Sequence, residues 1–326
     1  MEFRTIIRNM ELRGSIKHSH RIMLIGSCFS DNIGSKLAGA MMNTEINPFG
    51  TVYNPASIES EIQRIINGTP IEEAELFAAN GMWNHFSFHS HFSRSNKHEA
   101  LNFMNRRLEY AHNHLKNCDE VIITLGTAFI YRYKANDSIV SNCHKLPTGE
   151  FTRTMMTVSE TTACLESIVN SIVKYAPQAR IIFTISPIRH LSDGLEQNQL
   201  SKSTLRVAVG EIVAKHSYCC DYFPAYEIMM DDLRDYRFYA SDMIHPSDVA
   251  VDYIWNTFKS VYFDDGTAQI ASRCERTTKR LAHRIMTDNK EAVTRFHQET
   301  KEIIMNLLAE YPYLKELPQL TEYIKS

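Results

Sequence analysis

Four apolar segments with the composition of buried β-strands recur along this 326-residue chain, separated by segments with helical periodicity. The segments are Met23 to Ile25, Val121 to Leu125, Ile181 to Ile185 and, more weakly, Tyr218 to Tyr222. Strands that alternate with helices predict a parallel sheet covered by helices on both faces. Right-handed crossovers bring the carboxyl ends of such strands to one edge of the sheet, so we expect functional residues in the loops there.

Capping residues mark the ends of the predicted helices. Asn54 and Pro55 supply an N-cap and a first-turn proline for a helix that runs to about Asn67. Thr157 and Glu160 form a capping box that begins another helix. Two further helical patterns cover Lys97 to Lys116 and Gln197 to His216. Each helix is long enough to connect two parallel strands.

The residues after Asp264 differ in character from those before them. Between Ala271 and Leu308 the chain is charged, favours helix and contains neither Gly nor Pro. Apolar positions such as Ile285 predict one or two amphipathic helices, which cover the sheet edge or dock on a partner. We therefore expect an α/β domain over residues 1–263 and a helical extension over residues 264–326.

The segment Gly26 to Asn32 follows the first predicted strand and indicates a tight turn into a helix. A nucleophile just past the glycine, Ser27 or Cys28, would project into solvent at the helix N-terminus, where an anion is favoured and a thiol pKa can be lowered. Near the other end of the chain, Asp242 precedes His245 by three residues. A carboxylate at this spacing can orient the imidazole and leave its second nitrogen free to act as a base.

An early nucleophile and a late Asp-x-x-His are typical of SGNH (GDSL-type) hydrolases, and the chain resembles one branch of them, the GSCFA-domain family. The resemblance covers about residues 20 to 260 and rests on six motifs in the expected order: Gly26-Ser27-Cys28-Phe29, Asn47-Pro48-Phe49-Gly50, Leu125-Gly126-Thr127-Ala128, Asn142-Cys143-His144-Lys145, Ser186-Pro187-Ile188-Arg189-His190 and Asp242-Met243-Ile244-His245-Pro246. It implies a three-layer α/β/α sandwich with a mostly parallel sheet of flavodoxin-like SGNH type, followed here by the C-terminal helices. It also implies hydrolysis or transfer of the acyl group of a small polar or carbohydrate-like ester, without a cofactor.

Two registers align the turn with the superfamily's Gly-Asp-Ser-Leu motif. One makes Cys28 the nucleophile and the other makes Ser27 the nucleophile, and the following Ser30-Asp31-Asn32 favours Cys28. In either register Asp242 and His245 complete the predicted catalytic set.

The predicted oxyanion site departs from the superfamily pattern. Gly126-Thr127-Ala128 stands where SGNH enzymes have Gly-x-Asn, and Ala128 has no side-chain donor. Loss of one such donor costs about 3 kcal/mol of transition-state stabilisation. The backbone N–H groups near Cys28 and Gly50, or the side chains of Asn47 and Asn142, are the candidate replacements.

A histidine-rich segment and an arginine add candidate substrate-binding residues. The alternating run from His85 to Ser93, if extended, places His89 and His91 on one polar face that lines the cleft. With His144 or His190 as a third ligand the pair could hold zinc, but the spacing is no zinc signature, so we predict substrate binding and no metal. Arg189 and His190 follow the predicted strand that ends near residue 185, and an arginine there suits a carboxylate or phosphate on the substrate.

Composition narrows the class of protein. A net charge of −3 gives no electrostatic reason to expect nucleic acid, and no apolar run approaches the length of a membrane span. The N-terminus lacks a signal-peptide profile, and the seven cysteines do not suggest a disulfide scaffold, so we expect a cytoplasmic protein. The sequence does not indicate an oligomeric state. Two alternatives to the esterase stay open: a non-catalytic ligand-binding protein, favoured by Ala128, and, less favoured, a metal-dependent hydrolase.

Overall fold

The computed structural model describes residues 5–7, 10, 12–283, 286, 289–317 and 320, so the predicted apolar position Ile285 lies outside the described residues. Within these residues, ten strands form three sheets. The strands are β1 (Arg21–Gly26), β2 (Asn43–Ile46), β3 (Phe77–Ala79), β4 (Met82–Asn84), β5 (Glu120–Leu125), β6 (Phe129–Tyr133), β7 (Ser138–Val140), β8 (Phe151–Met155), β9 (Arg180–Ile185) and β10 (Cys220–Phe223).

Nine α-helical segments occur in the same part of the chain. They are α1 (Cys28–Gly39), α2 (Pro55–Asn67), α3 (Lys97–Lys116), α4 (Val158–Tyr175), α5 (Leu195–Lys215), the single turn α6 (Ala225–Glu227), α7 (Asp248–Tyr262), α8 (Asp265–Leu281) and α9 (Lys290–Glu310). None of these described helices combines the length and the apolar character that a membrane span requires.

The central sheet has five parallel strands in the order β10-β9-β5-β1-β2. Alternate residues of β1 face opposite layers. Met23 and Ile25 pack with α2, α3, α4 and α5, whereas Ile22 and Leu24 pack with α1 and α7. The predicted three-layer α/β/α fold with a mostly parallel sheet, followed by C-terminal helices, is confirmed.

The strand order determines where a ligand site can form. Numbered along the chain, the five parallel strands follow the flavodoxin-like order 2-1-3-4-5. The connections from β1 and β5 leave the sheet in opposite directions, which opens a crevice at the carboxyl ends of these two neighbouring strands. Cys28 follows β1 and Gly126 follows β5, so both residues lie at this crevice.

The predicted extended run from His85 to Ser93 is wrong. The segment forms turns and one 3₁₀ turn at Ser90–Phe92. Its aromatic rings pack against different neighbours. The ring centroids of Phe86 and Phe77 are 4.2 Å apart, and those of Phe88 and Phe49 are 4.1 Å apart. These separate contacts replace the single apolar face of a strand.

The residues after α7 form a small helical unit against the α/β layers. Asp264 caps α8, and its carboxylate accepts a hydrogen bond from the N–H of Thr267 (2.8 Å). Cys274 of α8 and Leu307 of α9 share an apolar cluster with Met41 at the end of α1. The C-terminal helices therefore cover one end of the α1 layer, and the division at residues 263 and 264 stays a prediction.

Candidate active site

The loop after β1 places Cys28 at the first position of α1. Gly26 has a φ of 147°, and a Cβ there would lie 2.2 Å from the carbonyl oxygen of Thr124 on β5. Only glycine fits where the two strands approach this closely. Ser27 is the buried N-cap, and its hydroxyl oxygen accepts a hydrogen bond from the N–H of Phe29 (3.3 Å). Cys28 is only partly buried and lines a cleft.

The loop before α7 brings an imidazole to this thiol. His245 Nε2 lies 3.7 Å from Cys28 Sγ, and His245 Nδ1 lies 2.6 Å from a carboxylate oxygen of Asp242. The other Asp242 oxygen accepts hydrogen bonds from the N–H groups of Ile244 and His245. These bonds, the His245 N–H foremost, lower the pKa of Asp242 to about 2. The ionised carboxylate favours a proton on Nδ1 and leaves Nε2 free to accept the thiol proton.

The pKa of the Cys28 thiol is raised, so the lowering that a helix N-terminus can produce does not prevail at this position. Burial of the sulfur is the largest cause, and the negative charge of Asp31 in the first turn of α1 adds to it. The positive charge of Lys202 acts in the opposite direction but does not reverse the shift. Removing a thiolate from water outweighs the favourable field of the helix terminus. The resting side chain is therefore a neutral thiol.

Cys28 and His245 lie in a cleft of about 460 Å³, a size typical of small-molecule sites. Its lining comes from the loops after β1, β5 and β9, from the strands β6 and β8 and from the loops before α2 and α7. The lining residues are Ser27, Cys28, Tyr53, Thr127, Phe129, Tyr131, Arg153, Ser186, Ile188, Arg189, His190, Leu191, Ser192, Asp193, Ile244 and His245. A larger groove of about 970 Å³ along α2 and α3 has no Cys, Ser or Thr among its lining residues, so it offers no such nucleophile.

Arg153 joins two walls of the cleft. This β8 residue forms an ion pair with Asp193 in the loop after β9. Its guanidinium also lies 3.8 Å from the ring centroid of Phe129 and 5.3 Å from that of Tyr131. The ion pair and the cation–π contacts hold the small antiparallel sheet against the loop after β9.

Four of the predicted binding residues lie at the cleft. Thr127, Arg189 and His190 line it, and Gly126 adjoins Thr127. The Thr127 hydroxyl lies 3.0 Å from the Ser201 hydroxyl of α5, which orients it within the wall. Burial lowers the pKa of His190 to about 4, so this imidazole is neutral at neutral pH.

Lys202 on α5 is a site residue that the sequence analysis missed. Its side chain is fully buried, and Nζ donates hydrogen bonds to the carbonyl oxygens of Gly126 (2.6 Å) and Ser186 (2.9 Å). The amine thereby ties the loop after β5 to the loop after β9, and burial lowers its pKa to about 7. The available sequence signal was a lysine at helical spacing from the apolar Leu205 and Val209.

Tyr53, in the loop before α2, is a second residue that the sequence analysis missed. Its carbonyl oxygen accepts the N–H groups of Gly126 (2.7 Å) and Thr127 (3.0 Å), and a Cβ at Gly126 would lie 3.1 Å from its ring. Its hydroxyl makes one long contact, 3.4 Å to the Thr51 hydroxyl. Burial raises the pKa of Tyr53, with a further contribution from Cys28. The phenol is therefore a protonated donor beside the thiol.

Gly50 and Asn47, two predicted oxyanion donors, are engaged in other hydrogen bonds. The Gly50 N–H donates to the Asn47 carbonyl oxygen (2.8 Å), and a Cβ at Gly50 would lie 2.3 Å from the Cβ of His89. The Asn47 side chain donates to Asp31 (2.7 Å) and accepts the Gly26 N–H (2.8 Å). These bonds fix the turns around the end of β1, and they use the Gly50 N–H and one of the two Asn47 amide N–H groups.

Asn142, His144 and His91, also predicted to bind substrate, are not among the residues that line the cleft. The Asn142 side-chain oxygen accepts the N–H of His144, and His144 Nε2 lies 2.9 Å from the His85 carbonyl oxygen. His144 is buried against the rings of nearby phenylalanines, whereas His91 is exposed. Asn142 and His144 therefore make contacts within the fold, and a role of these three residues in substrate binding stays a prediction.

The predicted histidines do not assemble a metal site. Within the residues that the structure describes, no group of three or more His, Cys, Asp or Glu side chains is arranged to hold a metal ion. His144 lies beside Ser90 (3.4 Å from its hydroxyl), which is between His89 and His91 in sequence, whereas His190 lines the cleft with Cys28. The geometry therefore supplies no donor set for the metal-dependent alternative.

The chain matches a family model and is similar to solved structures. The model of the GSCFA family matches residues 21–258. Among solved structures, the chain is similar to a protein from Streptococcus pneumonia described as a "putative platelet activating factor", with 12% sequence identity and a TM-score of 0.38. That similarity covers 74% of this chain and 84% of the other chain. The comparison with curated proteins gave no match.

Proposed function

This chain belongs to the GSCFA family, and we propose that it hydrolyses or transfers the acyl group of a small polar or carbohydrate-like ester. Cys28 is the nucleophile, His245 is the general base and then the general acid, and Asp242 orients His245. The observation that carries the proposal is the continuous line of contacts from Cys28 Sγ to His245 Nε2 (3.7 Å) and from His245 Nδ1 to Asp242 (2.6 Å).

The reaction proceeds in two acyl-transfer steps. Cys28 Sγ attacks the ester carbonyl carbon while His245 Nε2 takes the thiol proton, which gives a tetrahedral oxyanion. The C–O bond then breaks, the leaving alcohol takes the proton from His245, and a thioester on Cys28 remains. Water, or an acceptor hydroxyl, attacks the thioester with His245 as base, and the proton returns to the Cys28 sulfur.

The raised pKa of Cys28 supports this order of events. A neutral thiol must lose its proton during attack, so the neutral form of His245 is the competent one. The pair thus works as a hydroxyl and imidazole do in serine hydrolases, and not as a preformed thiolate and imidazolium.

The surroundings of the two candidate nucleophiles favour Cys28 over Ser27. Ser27 is 1% exposed, and its hydroxyl oxygen caps the helix by accepting the Phe29 N–H. The Cys28 sulfur is the atom that contacts His245. A nucleophile needs both an open approach and a base, and Cys28 has both.

We assign the oxyanion to two donors near the thiol. The Cys28 N–H is in the first turn of α1, where backbone N–H groups lack intrahelical partners. The Tyr53 hydroxyl supplies the second donor in place of the amide that Ala128 lacks. Ala128 itself is fully buried, and its N–H donates to the Ser201 hydroxyl (2.7 Å).

The direct test is intact-protein mass spectrometry after brief exposure to phenyl acetate, with peptide mapping of the adduct. We expect one acetyl group on Cys28, absent from Cys28→Ala and strongly reduced in His245→Ala. Cys143 and Cys164 are also partly exposed and serve as internal controls for unassisted acylation. Labelling that is spread over these cysteines and indifferent to His245 would refute the mechanism.

A second candidate function is non-catalytic ligand binding in the same cleft. The buried Ala128 favours it, because the usual amide donor is missing. This alternative predicts a ligand that raises the melting temperature of wild type and Cys28→Ala equally, with no turnover in either protein. Turnover that depends on Cys28 would exclude it.

A further inference from the structure

Arg189 lines the cleft without an acidic partner among the described residues. Its Nε and Nη2 groups donate to the Met230 sulfur at 3.3 and 3.0 Å. A thioether is a weak acceptor, and a guanidinium carries five N–H donors. Most of the hydrogen-bonding capacity of Arg189 therefore remains unused. Partly buried arginines usually pair with a carboxylate, so an arginine in a cleft without one is suited to an anionic ligand.

The acidic residue that lines this cleft does not pair with Arg189. Asp193 lines the same cleft, but it forms an ion pair with Arg153. The buried Lys202 does not line the cleft, and its hydrogen bonds go to main-chain carbonyl oxygens. His190 is neutral, since burial and the charge of Lys202 lower its pKa to about 4. The part of the cleft around Arg189 therefore favours a negative charge.

The thiol end of the cleft has the opposite electrostatic character. Asp31 acts on Cys28 and is held in place by the Asn47 side chain (2.7 Å). Asp31 would therefore repel a substrate carboxylate or phosphate placed at the sulfur. An ester whose anionic group lies away from its reacting carbonyl can satisfy both ends, with the anion at Arg189 and the carbonyl at the sulfur.

We propose that the cleft binds a small ester that carries a carboxylate or phosphate group, and that Arg189 binds this anionic group. Carboxylate and phosphate oxygens match the planar fork of a guanidinium, which can donate two parallel hydrogen bonds to either. The ester part of this inference rests on the proposed function, whereas the anion site rests on Arg189 itself.

Matched pairs of esters test the preference during turnover. One pair is 3-acetoxybenzoate and its methyl ester, which differ in charge on the leaving group. The other is monophenyl adipate and methyl phenyl adipate, which differ in charge on the acyl group. We expect wild type to prefer the anionic member of at least one pair, and Arg189→Gln to lower that kcat/KM ratio about tenfold or more.

Two further variants make the turnover result specific. Arg189→Lys keeps the charge and should retain part of the preference. Arg237→Gln removes an equal charge from an arginine whose side chain is 74% exposed, and it should leave the ratio unchanged. A ratio that is the same in wild type and Arg189→Gln for both pairs would overturn the proposal.

A binding measurement separates this inference from the proposed function. Calorimetry with the Cys28→Ala variant, using benzoate and phenyl phosphate as probes, requires no chemistry at the thiol. We expect the affinity for at least one probe to fall about tenfold or more when Arg189→Gln is added. Binding that depends on Arg189 in a protein that hydrolyses no ester would support the anion site and refute the esterase. Turnover that depends on Cys28, together with probe binding that does not depend on Arg189, would support the esterase and refute the anion site.

Discussion

Glu61 on α2 is a buried carboxyl group whose ionisation should oppose folding. It is 2% exposed, its Oε1 accepts the Phe49 N–H at 3.3 Å, and its Oε2 has no hydrogen-bond partner among the described residues. Burial raises the pKa of Glu61 from 4.5 to about 8, and the charge of Glu45 adds to the effect. In the folded protein the group is therefore mainly protonated at pH 7, whereas in the unfolded chain it is ionised.

The size and sign of the effect follow from this difference. Between pH 4.5 and 8 the folded state binds more protons than the unfolded state, so the free energy of unfolding falls as the pH rises through this window. Each pH unit above 4.5 corresponds to about 1.4 kcal/mol, which gives about 3 kcal/mol at pH 7. Glu61→Gln mimics the protonated acid, so we expect it to stabilise the protein by about 3 kcal/mol at pH 7 and by almost nothing near pH 4.5.

Urea unfolding of wild type and Glu61→Gln at pH 5, 6, 7 and 8 measures the difference. Titrating groups that do not interact with Glu61 contribute equally to both proteins, so the difference isolates Glu61 and its coupling to Glu45. Glu109→Gln, at an exposed position of α3, is the control, and its effect should stay within about 0.5 kcal/mol at each pH. A Glu61→Gln advantage of the same size at pH 5 and pH 8 would refute the reasoning.

Three other substitutions test the site and its scaffold. His245→Gln should lower kcat for ester hydrolysis by about 10²- to 10⁴-fold in steady-state kinetics, because the Cys28 thiol loses its base. A near-wild-type rate would contradict the mechanism. Tyr53→Phe should lower kcat about a hundredfold with little change in KM, as expected for an oxyanion donor, whereas an altered KM alone would assign Tyr53 to ground-state binding. Gly26→Ala should destabilise the fold by about 3 kcal/mol or more, since its Cβ would meet the Thr124 carbonyl oxygen; an unchanged thermal midpoint would show that the strands can separate there.

Local capping chemistry explains why several helices could be predicted closely. The predicted bounds of α2 and α3 match the structure, because Asn54 and Asn96 cap their first turns through bonds to residues three positions ahead. The edge strand β2 was missed. Its four residues, Asn43–Ile46, include polar side chains and become a strand through pairing with β1. An edge strand of this kind has little periodic signal of its own.

Some contacts of the candidate site are local and could be predicted from sequence spacing, whereas others depend on residues that are distant in the chain. Asp242 and His245 are three residues apart, so their pairing could be predicted from spacing alone. The roles predicted for Gly50 and Asn47 could not be checked in this way, because whether a donor is free depends on every neighbour. Tertiary packing engages the Gly50 N–H and one of the two Asn47 amide N–H groups elsewhere.

Local sequence patterns were enough to predict four strands of the central sheet, the helices between them, the glycine turn into α1 and the Asp-x-x-His pair, because these depend on neighbouring residues. The contact of Cys28 with His245 across 217 positions of sequence and the burial of Lys202 between two loops became apparent from the folded structure alone. The tertiary structure also decided that the pKa of Cys28 is raised and that Arg189 lacks an acidic partner among the described residues. Desolvation and charge pairing depend on all the groups packed around a side chain, and chain spacing does not specify those groups.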